Sequence, residues 1–500
     1  MRLQFLLLCL IVVSCAKPTQ NQGERLYASH CASCHTAPRI DHLTKELWEN
    51  SILPEMGARM GIKDPNYDPY KGYTHAEQFD IKQAGIYSLI PTISQEDWIK
   101  LKDYILANAP DGLPVIPKNP SIQTLEQFEF KSISIDSVPG AAISFLGYDE
   151  GSQNILIGNL DGSVNTFDYL QGTSQNIFRA QSAVTAFNPT DLGDIVTAVG
   201  ILNPSQQKEG ALLLRNEVAT DTLIAGLHRP VHSLVHDFNK DGQLEIVVCE
   251  FGHLTGELSL LQKDSNGIYQ KKVLIQSPGS MRSIVRDLDG DGKDDIVFMK
   301  AQGDEAIMVL YQKDDMTFSA DTLLRFSPVL GTSWFEMVDF DGDGDEDIIT
   351  VHGDNADKTQ ILKPYHGLRI HLNNGDNEYE ESFFYPMYGA TRSETFDYDG
   401  DGDLDIALVS TFPDYADRPV KSFVYLENAG GDGFDFTERI LPKQIDGKWF
   451  LMKAADVDAD GDQDIILSTF TYYFTPIPKD LSQKWSESLT DLMVLENTLK

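Results

Sequence analysis

The sequence predicts a multidomain chain, a small all-α module followed by a long all-β repeat array with cation-binding loops. Three observations predict it. The stretch LYASHCASCHTAPR at 26–39 holds a Cys-x-x-Cys-His motif between helix-type patterns. The stretch APDGLPVIPKNPS at 109–121 places four prolines in thirteen residues, where helical periodicity gives way to short β-rich runs. Beyond it, five segments align without gaps as D-x-[D/N]-x-D-G-x-x-[D/E] followed by an aliphatic run.

Bulk properties set the frame. At 500 residues the chain is too long for one ordinary core, and 41% hydrophobic content suffices for globular folding. A formal charge of −36 excludes nucleic acid as a partner, because phosphate binding needs clustered Lys and Arg. Much of this charge lies in short Asp-rich loops, where bound divalent cations would neutralise it. The five cysteines are Cys9, Cys15, Cys31, Cys34 and Cys249, too few and too scattered for a disulfide framework. Cys249, inside EIVVCEFG, is expected to be a small buried hydrophobe.

The N-terminus, MRLQFLLLCLIVVSC, has one early Arg and an apolar run that suits a secretory h-region. The run is shorter than the roughly 20 residues a membrane span takes. Val12-Val13-Ser14-Cys15 resembles the lipobox of bacterial lipoproteins. The resemblance implies a signal peptide over 1–14, cleavage before Cys15, its acylation, and a lipidated tether over 15–22. An ordinary signal peptide with an incidental Cys is the alternative. Several acyl chains make a stable anchor, and Ala16 rather than Asp after the Cys favours the outer membrane. The expected location is exported and membrane-anchored, facing the periplasm or the cell surface.

Composition alone would produce a C-x-x-C-H match only about 0.001 times in such a chain. Two thiols on one turn can both add to the vinyl groups of a haem, with the following His directed at the iron. A zinc site would need a second ligand pair, and a thioredoxin-like motif a βαβ setting; neither is present. Cys31 and Cys34 are therefore expected to carry one covalent haem c, with His35 as proximal ligand. The flanks resemble a small class I cytochrome c domain over 23–109. GERLYASHCASCH reads as its N-terminal helix, and SQEDWIKLKDYILANAP, N-capped by Ser94, as its C-terminal helix. The Trp48-to-Met56 arrangement resembles short cytochrome domains with a Trp and then a Met on a middle helix. Met56 is thus the expected sixth ligand, with Met60, four residues on, as its alternative. His42, His75 or an open position stay as further readings. Met/His ligation would suit electron transfer, and an open position small-molecule chemistry.

The five repeats begin at Asp237, Asp287, Asp339, Asp397 and Asp456. The ligand sets at positions 1, 3, 5 and 9 are Asp237, Asn239, Asp241, Glu245; Asp287, Asp289, Asp291, Asp295; Asp339, Asp341, Asp343, Asp347; Asp397, Asp399, Asp401, Asp405; and Asp456, Asp458, Asp460, Asp464. Oxygens at 1, 3 and 5 converge on a hard cation when the chain curls; Gly at 6 permits the turn and an acid at 9 closes the cage. Position 7 varies among Gln243, Lys293, Asp345, Asp403 and Asp462, so it is expected to offer its backbone carbonyl. EF-hands are excluded, since the loops run into β-type sequence rather than helices. Metal-free solvated turns are the alternative.

At these residues the chain resembles the FG-GAP/VCBS repeat family, integrin-alpha-like, which implies a seven-bladed β-propeller with about five Ca²⁺. Two weaker copies, at LGYDEGSQNILIG and FNPTDLGDIV, lack the acidic set and are expected to hold no metal. The units are then marked by Ile155, Ile195, Ile246, Ile296, Ile348, Ile406 and Ile465. The last unit lacks its final strand, and FEFKSISID at 128–136 is expected to supply it, closing the ring. The division is a Pro-rich linker over 110–127 and a propeller over 128–500.

Five residues before each loop stand His232, Arg282, Trp334, Arg392 and Leu451. Inner strands line a propeller's channel, so His232, Arg282, Trp334 and Arg392 form a candidate channel mouth for an anion or sugar, against ordinary blade packing. His228, His232 and His236, spaced by four, do not make a metal face on a strand. No catalytic residue is assigned. The functional expectation is a lipid-anchored mono-haem cytochrome mediating electron transfer, with the calcium-stabilised propeller as docking platform. Its partner would be a redox protein or a small-molecule electron donor, with a glycan or protein ligand on the propeller. An oxidoreductase taking a small substrate such as a sugar or alcohol in the propeller, and a surface adhesion or glycan-binding protein, are the alternatives.

Overall fold

The structure is a computed structural model that describes residues 21–499 except 217, 357–358, 431–433, 443–446 and 474. Cys9 and Cys15, and with them the signal and lipid-anchor expectations, lie outside the described residues. No helix among the described residues is long and apolar enough to cross a membrane.

Seven antiparallel sheets succeed one another along the chain, here blades I to VII. Blade I comprises Ile143–Asp149, Asn154–Asn159, Ser163–Asp168 and Thr173–Arg179. Blades II to VI begin with Val184–Asn188, Pro230–His236, Ser280–Arg286, Thr332–Val338 and Ala390–Phe396. Blade VII begins with Trp449–Ala455. Each marker isoleucine opens the aliphatic run of a second strand, such as Asp295–Lys300 or Asp405–Ser410. In blades III to VII every residue of that strand is buried. Sheets packed against neighbours on both sides demand this uninterrupted apolar character.

The ring closes as the sequence predicts. Phe128–Ile133 pairs antiparallel with Leu492–Asn497, register Phe128↔Asn497 to Ile133↔Leu492, as the outer strand of blade VII. The first strand of blade VII also adjoins that of blade I.

Residues 22–108 form short helices and not a self-contained all-α domain. They are Gln22–Leu26 continued by a wide turn Tyr27–Cys31, Ile40–His42, a run from Lys45 through Arg59, His75–Gln83, and Gln95–Asn108 capped by Ser94. Their core of Leu43, Trp48, Leu53, Ile62, Ile93, Trp98, Leu101 and Ile105 also takes in Val329 and Tyr365 of the propeller. The segment 110–127 does not hang free as a linker would. Ile116 N–H donates to Tyr388 Oη at 2.8 Å, and Gln123–Thr124 adds a parallel strand on Phe436–Ile440 of blade VI. Leu125 is buried behind it. An extended, proline-rich chain suits this role, since it covers a sheet edge that would otherwise stay open.

In a four-stranded meander the loops alternate between two faces. The cation loops join first and second strands, so they share one face with the outer hairpins. The helical segment contacts loops of the other face at Ser205, His253 and Tyr365, and the extended segment after it contacts Tyr388 there.

Candidate functional site

Three constellations stand apart from ordinary packing. The first is the Cys-x-x-Cys-His turn. Gly23 lets the N-terminal helix approach Gln95–Asn108 closely, because a Cβ there would collide with Tyr104 Cβ. Tyr27 hydroxyl donates to Pro38 O and holds the chain after the motif against the helix. Cys31 and Cys34 are both free thiols, Cys31 partly buried and Cys34 exposed. Burial pushes the Cys31 thiol up to about 12. His35 Nδ1 lies 3.0 Å from Thr36 O, a pairing that makes Nδ1 the protonated nitrogen and leaves Nε2 with its lone pair. Met60 packs against the helical core together with Cys31, whereas Met56, half-buried, stands outside that cluster. His75 is exposed at the start of its helix. His42 is stacked on Tyr365, with ring centroids 4.2 Å apart. Two thiols on one turn, an imidazole with a free Nε2, and apolar walls including Trp48 and Trp98 fit a covalently held haem.

The second constellation is the set of loops. Each Gly at position six has a positive φ, from 83° at Gly292 to 101° at Gly402, and its N–H donates to a carboxylate oxygen of the first Asp. Ligand oxygens lie within 4.8 Å of one another in Asp287/Asp289/Asp291, Asp397/Asp399/Asp401 and Asp456/Asp458/Asp460, and in Asp339/Asp341/Asp347. In the loop from Asp237, Asn239 Nδ2 donates to Asp241 Oδ2 at 3.2 Å. The position-nine acids Glu245, Asp295, Asp347, Asp405 and Asp464 are all buried. Asp464 shows why: Oδ2 accepts Val457 N–H at 2.9 Å and Oδ1 accepts Asn497 N–H at 2.8 Å, tying loop to third strand. Burial, with the neighbouring Asp399 charge, raises Asp405 to about 7, and Asp464 rises to about 6 for like reasons. At position seven, Asp403 Oδ1 and Asp462 Oδ1 are buried without a partner among the described residues. Crowded carboxylates with orphaned oxygens are the donor set a hard divalent cation satisfies. The two weaker copies differ in kind. Asp149 accepts from Gly151 N–H and Ser152 Oγ, and Asp194 is ion-paired with Arg215.

The third constellation lines the channel. The structure brings Arg282, Trp334 and Arg392 together, with guanidinium carbons 3.7 and 3.9 Å from the indole centroid. His232 lies beside them, its Nε2 3.1 Å from Ser283 O; burial and then Arg282 hold it down at about 4. Leu451 is instead core between blades VII and I. Glu336 and Glu394 were not among the expected residues, although strand alternation places each on the side of Trp334 or Arg392 two positions earlier. Glu336 accepts from Ser393 Oγ and from Thr395 N–H at 3.0 Å; burial, and then Glu394, push it up to about 7. His228 and His236 point elsewhere, to Ser205 O and Asp294. Cys249 is fully buried in blade III.

Residues 287–350 and 397–467 match the FG-GAP-like repeat model, each match beginning on the first Asp of a loop. The chain carries FG-GAP-like repeats. Built on them is a seven-bladed β-propeller. Among similar solved structures is the Cps50 (Swd1) β-propeller domain of Myceliophteria thermophila, 10% identical, covering 67% of this chain and 95% of that one, TM-score 0.41. Another is the Neurospora crassa Pan2 WD40 domain, 12% identical, covering 76% and 98%, TM-score 0.44. A third is the calcium-binding protein regucalcin of Agrobacterium tumefaciens, 12% identical, covering 60% and 93%, TM-score 0.37. No curated protein matches the sequence.

Proposed function

We propose that the protein is an exported, lipid-anchored mono-haem c-type cytochrome whose calcium-stabilised propeller is a docking platform. The observation that carries this reading is the turn at 31–35, with two free thiols and a His35 whose Nδ1 is engaged while Nε2 is not. Cys31 and Cys34 would hold the haem and His35 would face its iron. Met56 or Met60 would take the opposite side; we favour Met60, which packs against the same helical core as Cys31. The bound group would supply reversible one-electron storage. The propeller residues hold the helices in place through Tyr365, Ser205 and His253, and the acidic loops would take about five Ca²⁺. Cys15 would carry the lipid.

The test is to produce the full chain in a host that attaches haem c and to look for haem that survives denaturation. The Cys31→Ala/Cys34→Ala variant should lose it, and Met60→Ala should change the iron's absorption more than Met56→Ala. A chain that acquires no covalent haem under those conditions, or binds zinc there instead, would sink the reading. Cys15→Ser should move the protein out of the membrane fraction.

A further inference from the structure

We propose that the propeller channel binds a small oxyanion ligand, a carboxylate or a phosphate, at the edge of the Arg282–Trp334–Arg392 stack, where the indole N–H lies. The site lies outside the haem reading and stands whether or not that reading holds.

The first argument is about hydrogen-bond polarity. Among the described residues neither guanidinium makes a hydrogen bond or ion pair. Arg282 Nε and Trp334 Nε1 are both buried without a partner, and Trp334 as a whole is only 8% exposed. Indole N–H and guanidinium N–H groups donate and cannot accept. Leaving such donors unmet is costly, so what completes the site must bring acceptors and few donors.

The second argument is about charge. Blades IV and VI flank blade V, so Arg282 and Arg392 take opposite faces of the Trp334 indole. The ring attracts each cation, but it does not neutralise the pair. Glu394 and Glu336 offset part of that charge through space, but without a direct contact. Glu336 is engaged by Ser393 Oγ and Thr395 N–H, and neither Glu336 nor Glu394 forms an ion pair with Arg282 or Arg392 among the described residues. Each guanidinium is a planar fork of the kind that recognises carboxylate or phosphate.

The third argument separates an anion from a neutral sugar. Sugar sites commonly offer an open aromatic face, and here both faces of Trp334 are covered by guanidinium. His232 spends its Nε2–H on Ser283 O.

The full chain should be titrated with acetate, malonate, inorganic phosphate and glucose, followed by calorimetry and tryptophan fluorescence. Saturable binding of malonate or phosphate is expected, weakened by added salt, with no response to glucose. Comparing the malonate and phosphate arms tells which oxyanion class fits. Arg282→Gln and Arg392→Gln should each weaken binding at least tenfold, while Arg179→Gln, on the surface of blade I, should leave it unchanged. Arg392→Lys keeps the charge and loses the fork; Trp334→Phe keeps a ring and loses the N–H. These milder variants should each weaken binding several-fold, and they serve where a glutamine variant fails to fold. Absence of saturable anion binding, equal affinity in the arginine variants, or a response to glucose alone would overturn the proposal.

Discussion

Position four of the cation loops shows how one residue's backbone can be read against its side chain. Its φ is 68° at Gly290, 74° at Gly342 and 72° at Gly400, but also 57° at Lys240 and 64° at Ala459. A Cβ in the left-handed region costs about 1 kcal/mol or more, so Ala459→Gly should stabilise the protein by about 0.5–1 kcal/mol, read as a higher urea midpoint. Glu305 offers a second prediction. It is 2% exposed, and it accepts from Thr332 N–H at 2.9 Å and Thr332 Oγ at 2.7 Å. Burial outweighs both hydrogen bonds and lifts its carboxyl from 4.5 to about 8. A folded value above the unfolded one means stability that is full below about pH 4.5 and lost as the pH rises through about 8. The unfolding midpoint should therefore fall across that window, and Glu305→Gln should flatten the fall. An identical slope in the variant would show that Glu305 does not titrate with folding.

At the scale of elements, blade VII is joined from the two ends of the propeller sequence. Phe128 is 4% exposed and meets Tyr398 and Tyr425 edge-on, with ring centroids 6.2 and 5.8 Å away. Phe128→Ala should cost about 3–5 kcal/mol, measured by denaturant unfolding, whereas in an unpaired N-terminal extension the same change would stay within about 0.5 kcal/mol. The loops give a matching test. Asp399→Ala should lower the number of Ca²⁺ bound per chain by one, counted by calorimetry. Much of this layer was legible in the sequence. The gapless loops fixed each second strand, and the missing strand of the last unit pointed to 128–136. The segment 110–127 was not legible, because prolines mark an extended chain but not the edge it lies on. The helical segment's docking was hidden for a similar reason. Glu77 meets Ser205 and Gln206 far along the chain, and no local periodicity records such a pairing. In the channel, four candidate residues could be found by counting back from the loops, but Glu336 and Glu394 needed the strand's alternation to be carried two residues further.

The whole molecule has two unlike faces, acidic loops on one and helices on the other. Glu77 is the pivot. Its Oε1 accepts from Ser205 Oγ and Gln206 N–H, both at 3.1 Å, and its Oε2 from Thr74 N–H at 3.0 Å and Thr74 Oγ at 2.9 Å. Burial alone would raise this carboxyl, but the donors from Thr74, Gln206 and Ser205 prevail and hold it below its ordinary range. A lowered folded value means stability present above the unfolded pKa and lost as the pH falls through the folded one, so acid should loosen the docking. Glu77→Ala leaves the Ser205 and Gln206 donors buried without an acceptor, at a cost of about 2–3 kcal/mol. Hydrogen exchange should then speed up together in 74–84 and 199–209. Exchange that quickens only in 74–84 would mean that Glu77 merely caps its own helix. If the loops hold calcium as proposed, chelation would act from the other face: each site held at about a hundredfold its Kd would contribute about 2.7 kcal/mol. Stripping calcium should lower the unfolding midpoint without first releasing 74–84, because among the described residues no hydrogen bond or ion pair joins a cation loop to the docked helices. Early release of that segment on chelation would show the two faces to be coupled through the blades.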